Sequence, residues 1–168
     1  MKMKLLVLGV VICAVVAAQP LLAAGATDTK SLAVSATVSA TAKLTVSATT
    51  LTFPNSDPDT VPSIAATEGV VNITAKSKTS AAGGVTLTIL AGADLTSGTD
   101  TIAISNITWT VSGAGFAAGT MNKTTAQSVA SWTGSGNRTG TQTYALANSW
   151  SYATGAYAAT ATYTLTAP

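Results

Sequence analysis

From Leu32 to Val46 the chain alternates: the even positions read Leu32, Val34, Ala36, Val38, Ala40, Ala42, Leu44, Val46, and the odd ones Ala33, Ser35, Thr37, Ser39, Thr41, Lys43, Thr45. A period of two gives an extended strand one aliphatic and one mostly hydroxyl face, and a helix has no use for it. These fifteen residues would extend roughly 50 Å at ~3.4 Å per residue, against about 17 to 20 Å for a usual strand. One small domain cannot easily pair all of that length. The run therefore either bends near Ala40 to Ala42 or sends its first half out of its own domain.

The same period recurs downstream. After Leu51-Thr52-Phe53, the cluster Pro54-Asn55-Ser56-Asp57-Pro58-Asp59 breaks any strand and marks a loop. Strands are predicted at Val70 to Ala75, at Val85, Leu87 and Ile89 after the Ala82-Gly83-Gly84 turn, at Ile102 to Ile104, and at Ile107, Trp109 and Val111. Gly113 to Gly119 reads as a loop. Further strands are predicted at Ala126 to Trp132 and Gln142 to Leu146, with a last one where Ala159, Ala161, Tyr163 and Leu165 alternate with threonines. About seven or eight short strands, turn signals between them and no helical period after the N-terminal segment predict an all-β chain folded as a β-sandwich. No internal repeat and no second domain is visible.

The N-terminus sets the compartment. Lys2 and Lys4 precede an apolar run from Leu5 to Ala18, followed by small residues around Ala24-Gly25-Ala26. This is the layout of a secretory signal peptide, predicted over residues 1–26, and the run is shorter than the ~20 residues a membrane helix needs. Cys13, the only cysteine, lies inside that segment behind Ile12, where lipoprotein processing wants a small residue. The exported chain thus has no disulfide available and must be held by packing, strand pairing or association with other chains.

Past Ala26 the six basic residues (Lys30, Lys43, Lys76, Lys78, Lys123, Arg138) balance six acidic ones (Asp28, Asp57, Asp59, Glu68, Asp94, Asp100). A neutral balance gives no reason to expect nucleic acid as a partner. Charged residues make up 8% of the chain, far below the ~25% of ordinary soluble domains. So little charge gives a monomer poor protection against association and suits a protein that works in an assembly.

Catalytic chemistry has little to draw on. There is no His and no cysteine past the signal, which removes the usual general base, the thiol nucleophile and most transition-metal sites, so neither an enzyme nor a cofactor is expected. Asp57 and Asp59 in their Pro-bounded loop read as turn-capping residues, and two carboxylates are too few for Ca²⁺. Trp109, in phase with Ile107 and Val111, reads as core, whereas Trp132 and Trp150 beside Gly and Ser turns are the candidates for stacking on a sugar ring. The sequons at Asn72, Asn106, Asn122 and Asn137 are common by chance in so Thr- and Ser-rich a chain.

The two ends together resemble the chaperone-usher pilin subunits, in particular the archaic branch and its spore coat protein U relatives. The resemblance rests on the alternating Val34-Ser35-Ala36-Thr37-Val38, a second strand at Leu44-Thr45-Val46-Ser47-Ala48, the Leu-x-Phe of Leu51 to Phe53, and a closing Gly-x-Tyr strand from Gly155 to Leu165. It departs from that family in having no cysteine near the first strand and Pro54 after Phe53. The resemblance implies an immunoglobulin-like sandwich that lacks one strand and is completed by the N-terminal extension of the next subunit. On that reading residues 27–43 are the extension, residues 44–168 are the sandwich, and Leu32, Val34, Ala36, Val38 and Ala40 are the plugs that enter the neighbour. It further implies partners: copies of the chain or related subunits, a periplasmic chaperone and an outer-membrane usher.

The expected function is a structural subunit of a surface fibre, pilus or coat, exported through the periplasm. Two other readings use the same composition: a secreted carbohydrate-binding module acting through Trp132 or Trp150, and a self-standing envelope or matrix protein that exchanges no strand. All three share one expectation. A chain with no His has no side chain that ordinarily titrates between about pH 5 and 8, so the urea midpoint should stay level across that window; a steep change there would contradict it.

Overall fold

The computed structural model describes residues 25–168; most of the predicted signal peptide lies outside the described residues. The chain divides into two units, one ending at Ala36 and one from Thr37 to Pro168. Within the first unit, residues 25–36 belong to no strand and are exposed. Among the described residues the second unit holds all the regular structure, ten strands and a single 3₁₀ turn at Ile104–Asn106, with no α-helix.

The strands are β1 (Thr41–Val46), β2 (Ser63–Lys78), β3 (Gly84–Ala91), β4 (Leu95–Ser97), β5 (Asp100–Ile102), β6 (Ile107–Ser112), β7 (Gly119–Thr120), β8 (Gln127–Thr133), β9 (Gly136–Ala147) and β10 (Ala161–Thr166). Five form one sheet in the order β1-β2-β9-β6-β7, three form another in the order β10-β3-β8, and β4 with β5 makes a short hairpin. Every pairing is antiparallel. Both larger sheets feed one hydrophobic core, with Val71, Ile73, Trp109, Tyr144 and Leu146 from the first and Leu87, Ile89, Ala91, Val129 and Ala130 from the second. The architecture is a β-sandwich-like all-β fold.

The predicted alternations account for most of these strands. β3 buries Val85, Leu87, Ile89 and Ala91, and Trp109 in β6 is 2% exposed, with its indole N–H donating to the Ala117 carbonyl at 2.9 Å. The strand predicted at Ile102 to Ile104 keeps only Ile102, the end of β5, because Ile104 opens the 3₁₀ turn; β9 begins at Gly136, before the predicted Gln142, and β2 begins well before the predicted Val70. It buries Ile64 and Ala66 and then Val71, Ile73, Ala75 and Ser77, a switch from even to odd positions. Between those stretches β2 advances five residues while β9 advances two, from Ala65↔Ala145 to Val70↔Thr143. An odd number of extra residues rotates the strand by one side-chain step and returns its apolar row to the core. Gly69 within the bulge has φ +63°, a left-handed backbone that glycine adopts at no steric cost. A second bulge in β8 gives two residues to one of β3 and lets Val129 and Ala130 both face inward.

Glu68 in the β2 bulge fastens the segment before it. Its carboxylate accepts the Thr52 backbone N–H at 2.8 Å and the Thr52 hydroxyl at 2.9 Å, which seats Leu51 and Phe53 against the core. Gly140 is buried under the Phe116 ring, and a Cβ built there would meet that ring at 2.5 Å. Gly140→Ala should therefore cost about 1 to 3 kcal/mol through overpacking. The loss should register as a lower urea midpoint, and an unchanged midpoint would show that Phe116 has room to move.

Candidate strand-docking site

The two sides of the sandwich are finished differently. On one, the segment before β7 bonds to β8 through its main chain: Ala117 N–H donates to Val129 at 2.8 Å, and Ser131 N–H donates to Gly115 at 3.2 Å. An isolated bridge between Phe116 and Ala130 joins the same segments. On the other side, β1 and β10 approach each other as edge strands, each paired along one flank only. Among the described residues no main-chain hydrogen bond joins them. An edge strand paired on one flank leaves alternate N–H and C=O groups directed outward, a template for another strand.

The side chains along this open side match its backbone. β1 aligns Leu44 with Ala75 and Val46 with Ile73, and β10 aligns Tyr163 with Ile89 and Leu165 with Leu87. The partners on β2 and β3 are buried, whereas Leu44, Val46, Tyr163 and Leu165 are half-buried against the core. An apolar strip of half-buried side chains thus runs along these two unpaired edges.

A polar cluster ties the sheets together at this side. The Tyr163 hydroxyl of β10 reaches Gln142 and Tyr144 of β9 in the opposite sheet, and the Gln142 carbonyl accepts from both tyrosines, from Tyr144 at 2.7 Å. Tyr144 packs its ring beside Trp109, centroids 6.2 Å apart. The Gln142 side chain is fully buried and its amide N–H₂ has no partner, an arrangement that costs about 1 to 3 kcal/mol for the unmade bond. Burial raises the pKa of Tyr144 far above that of a free phenol, with the Tyr163 hydroxyl adding to the effect. Burial also raises Tyr163, against which its bond to Tyr144 acts.

The predicted site residues fall in separate places. Leu32, Val34, Ala36, Val38 and Ala40 lie in a strandless run and all are exposed, Leu32 and Val34 at 86% and Val38 at 76%. β1 itself begins at Thr41, so Ala42 and Lys43 belong to a paired strand. Trp132 is half-buried against the core and its indole donates to Ser77 at 3.2 Å. Trp150 is 70% exposed and donates to Asp59 at 3.0 Å. Trp132 sits beside Val85 at the start of β3 and Trp150 beside the loop before β2, so the two rings form no common platform. Asp57 caps its own turn, accepting the Asp59 N–H at 2.9 Å. Among the described residues no three His, Cys, Asp or Glu side chains gather as a metal site. The Gln142 cluster is not foreseen from the sequence; the signal that points to it is that Gln142 shares its phase with Tyr144 and Leu146, which places it on the inward face.

Compared with known proteins, the chain matches no family model, no curated protein and no solved structure.

The titrating groups place the pH limits of this fold at its extremes. Glu68 is lowered chiefly by the Thr52 N–H, and Asp94 by its bond to Lys123 and then by the Ile104 N–H. Carboxylates lowered in the folded state stabilise it above their unfolded values near 4, and that contribution disappears as pH falls through the folded ones. Tyr144 and Tyr163 are raised, so theirs is present below about pH 10 and lost as pH rises beyond it. Urea midpoints should fall below about pH 4 and above about pH 10. Tyr163→Phe should lower the neutral midpoint by the equivalent of about 0.5 to 1.5 kcal/mol and weaken the alkaline decline; an alkaline decline left at full strength would place its origin elsewhere.

Proposed function

We propose that this chain is a non-catalytic structural subunit of a surface fibre, pilus or coat, and that one copy completes the next by donating its N-terminal extension. The acceptor is the open side between β1 and β10, and the donor is the part of the 27–43 extension that precedes β1, residues 27–40, with Leu32, Val34, Ala36, Val38 and Ala40 as plugs. The reading treats the sandwich as an immunoglobulin-like fold short of one strand. One observation carries it: the same chain has an unpaired, apolar-lined pair of strand edges and an exposed, strandless segment with a strictly alternating apolar row.

The energetics favour such a pairing. A strand laid between two edges satisfies main-chain groups on both flanks, and its alternate side chains fill the space above the half-buried strip. Burying an aliphatic side chain such as Val34 or Val38, each more than three-quarters exposed, stabilises by about 1.5 to 3 kcal/mol. Several plugs in one strand make a persistent joint. Export by the N-terminal signal, transit through the periplasm with a chaperone, and passage through an outer-membrane usher belong to the same proposal.

Replacing a plug with a charged residue tests it. Val34→Asp or Val38→Asp would bury an unpaired carboxylate at a cost of several kcal/mol, so fibres on the producing cells should disappear. Ser35→Asp and Ser39→Asp, on the opposite face, should leave assembly nearly intact. Electron microscopy of cell-surface material with mass spectrometry of the fibres reads both arms. Assembly by the Val variants equal to that of the unaltered chain, or a stable full-length monomer with its extension folded onto its own open side, would overturn the proposal.

A further inference from the structure

The folded unit sorts its charges by position. β2 ends at Lys78, and Thr79 is held by Ser135 just before β9, so Lys76, Lys78 and the start of β9 with Arg138 share one end of the sandwich. Lys43 of β1 lies directly opposite Lys76 in the ladder, and both, with Lys78, are exposed. Like charges facing each other across a strand pair destabilise it. Among the described residues none of Lys43, Lys76, Lys78 and Arg138 makes a salt bridge, the two pairs being Lys30–Asp28 and Lys123–Asp94. The Thr79 hydroxyl at this end donates to the Pro168 carbonyl.

The opposite end carries the acids. Asn148, just past β9, donates to the carbonyls of Ser56 and Val61, and Trp150 bonds Asp59, which puts Asp57 and Asp59 where β2 begins. β3 runs toward this same end, since its start meets Gly134 at the other. Beyond it come Asp94, bonded to the Ile104 N–H ahead of β6, and Asp100 at the head of β5. Asp94 is paired with Lys123; Asp57, Asp59 and Asp100 are exposed with no cation in salt-bridge range.

The 12-residue β9 between the ends spans roughly 40 Å at the strand rise, several times the ~8 Å Debye length at physiological salt. Neither end can neutralise the other within one molecule. We propose that the partner of each end is the opposite end of a second copy, so that the subunits stack head to tail with Lys43, Lys76, Lys78 and Arg138 facing Asp57, Asp59 and Asp100. A heterologous contact of this kind, set at opposite ends of the sandwich, produces a row wherever its rotation does not close a ring. The charges would orient incoming copies and speed their encounter. This contact rests on the fibre reading for its setting, while the force it invokes is separate from strand donation.

Charge exchange tests it on the full mature chain. Lys43→Glu, Lys76→Glu and Lys78→Glu together make both ends acidic, and Asp57→Lys, Asp59→Lys and Asp100→Lys together make both basic. Each protein alone should associate about tenfold or more weakly than the unaltered chain by analytical ultracentrifugation in about 20 mM salt, and about 0.5 M salt should bring the unaltered chain down to the same level. An equal mixture of the two, and the chain with all six exchanges, should recover association. Circular dichroism verifies that each variant is folded. Unchanged association by the single-end variants, or no recovery in the mixture, overturns the stacking. So does a basic end that binds an added anionic polysaccharide while the chain shows no salt-sensitive self-association. If Val38→Asp removes fibres yet salt-sensitive association persists, the stacking stands and strand donation alone accounts for the fibre; if Val38→Asp leaves fibres intact while charge exchange abolishes them, strand donation is the reading that fails.

Discussion

A β-strand brings a row of backbone donors and acceptors on each flank, and the fold is arranged around where those rows end. At one side of the sandwich, residues 115–117 turn in and bond to β8. At the other, β1 and β10 stop with one flank each unpaired. The core follows the same division, since side chains between paired strands are buried and those along the open edges, Leu44, Val46, Tyr163 and Leu165, are half-buried. The proposed donation of a strand needs no separate device beyond that unpaired geometry.

Holding two sheets together with an unpaired side falls to a few anchors that ordinary hydrophobic packing does not provide. Tyr163 crosses from an edge strand to Gln142 and Tyr144, and Glu68 binds the Leu51 to Phe53 segment to the β2 bulge. With no disulfide among the described residues, these polar ties and the two bulges keep the strands in register. The buried Gln142 amide that lacks a partner is the one place where the cluster is incomplete, and it lies in the strand that Tyr163 reaches from the open side.

The strand pattern was legible wherever the alternation was unbroken, as in β1, β3, β6, β9 and β10. It failed at the first half of β2, because Thr67, Glu68 and Gly69 insert an odd number of residues and reverse the phase between Ala66 and Val71. β4, β5 and β7, at two or three residues each, are too short to show a period. Trp109 could be assigned to the core from its phase. Trp132 could not, because its half-buried position depends on Ser77 in another sheet.

By itself the sequence determined that the chain is all-β, that residues past Ala26 can draw on neither His nor Cys, and that a segment before β1 has an apolar row at every second residue. These are local properties, fixed by residue type and by the two-residue repeat of an extended backbone. Only the tertiary structure decided that β1 and β10 end on the same open side, that Gln142 meets Tyr163, and that Lys43 faces Lys76 far from Asp57 and Asp59. Each of those depends on which strands become neighbours. Neighbours are chosen by register, bulges and sheet order, which act between residues distant in sequence and leave no periodic mark along it.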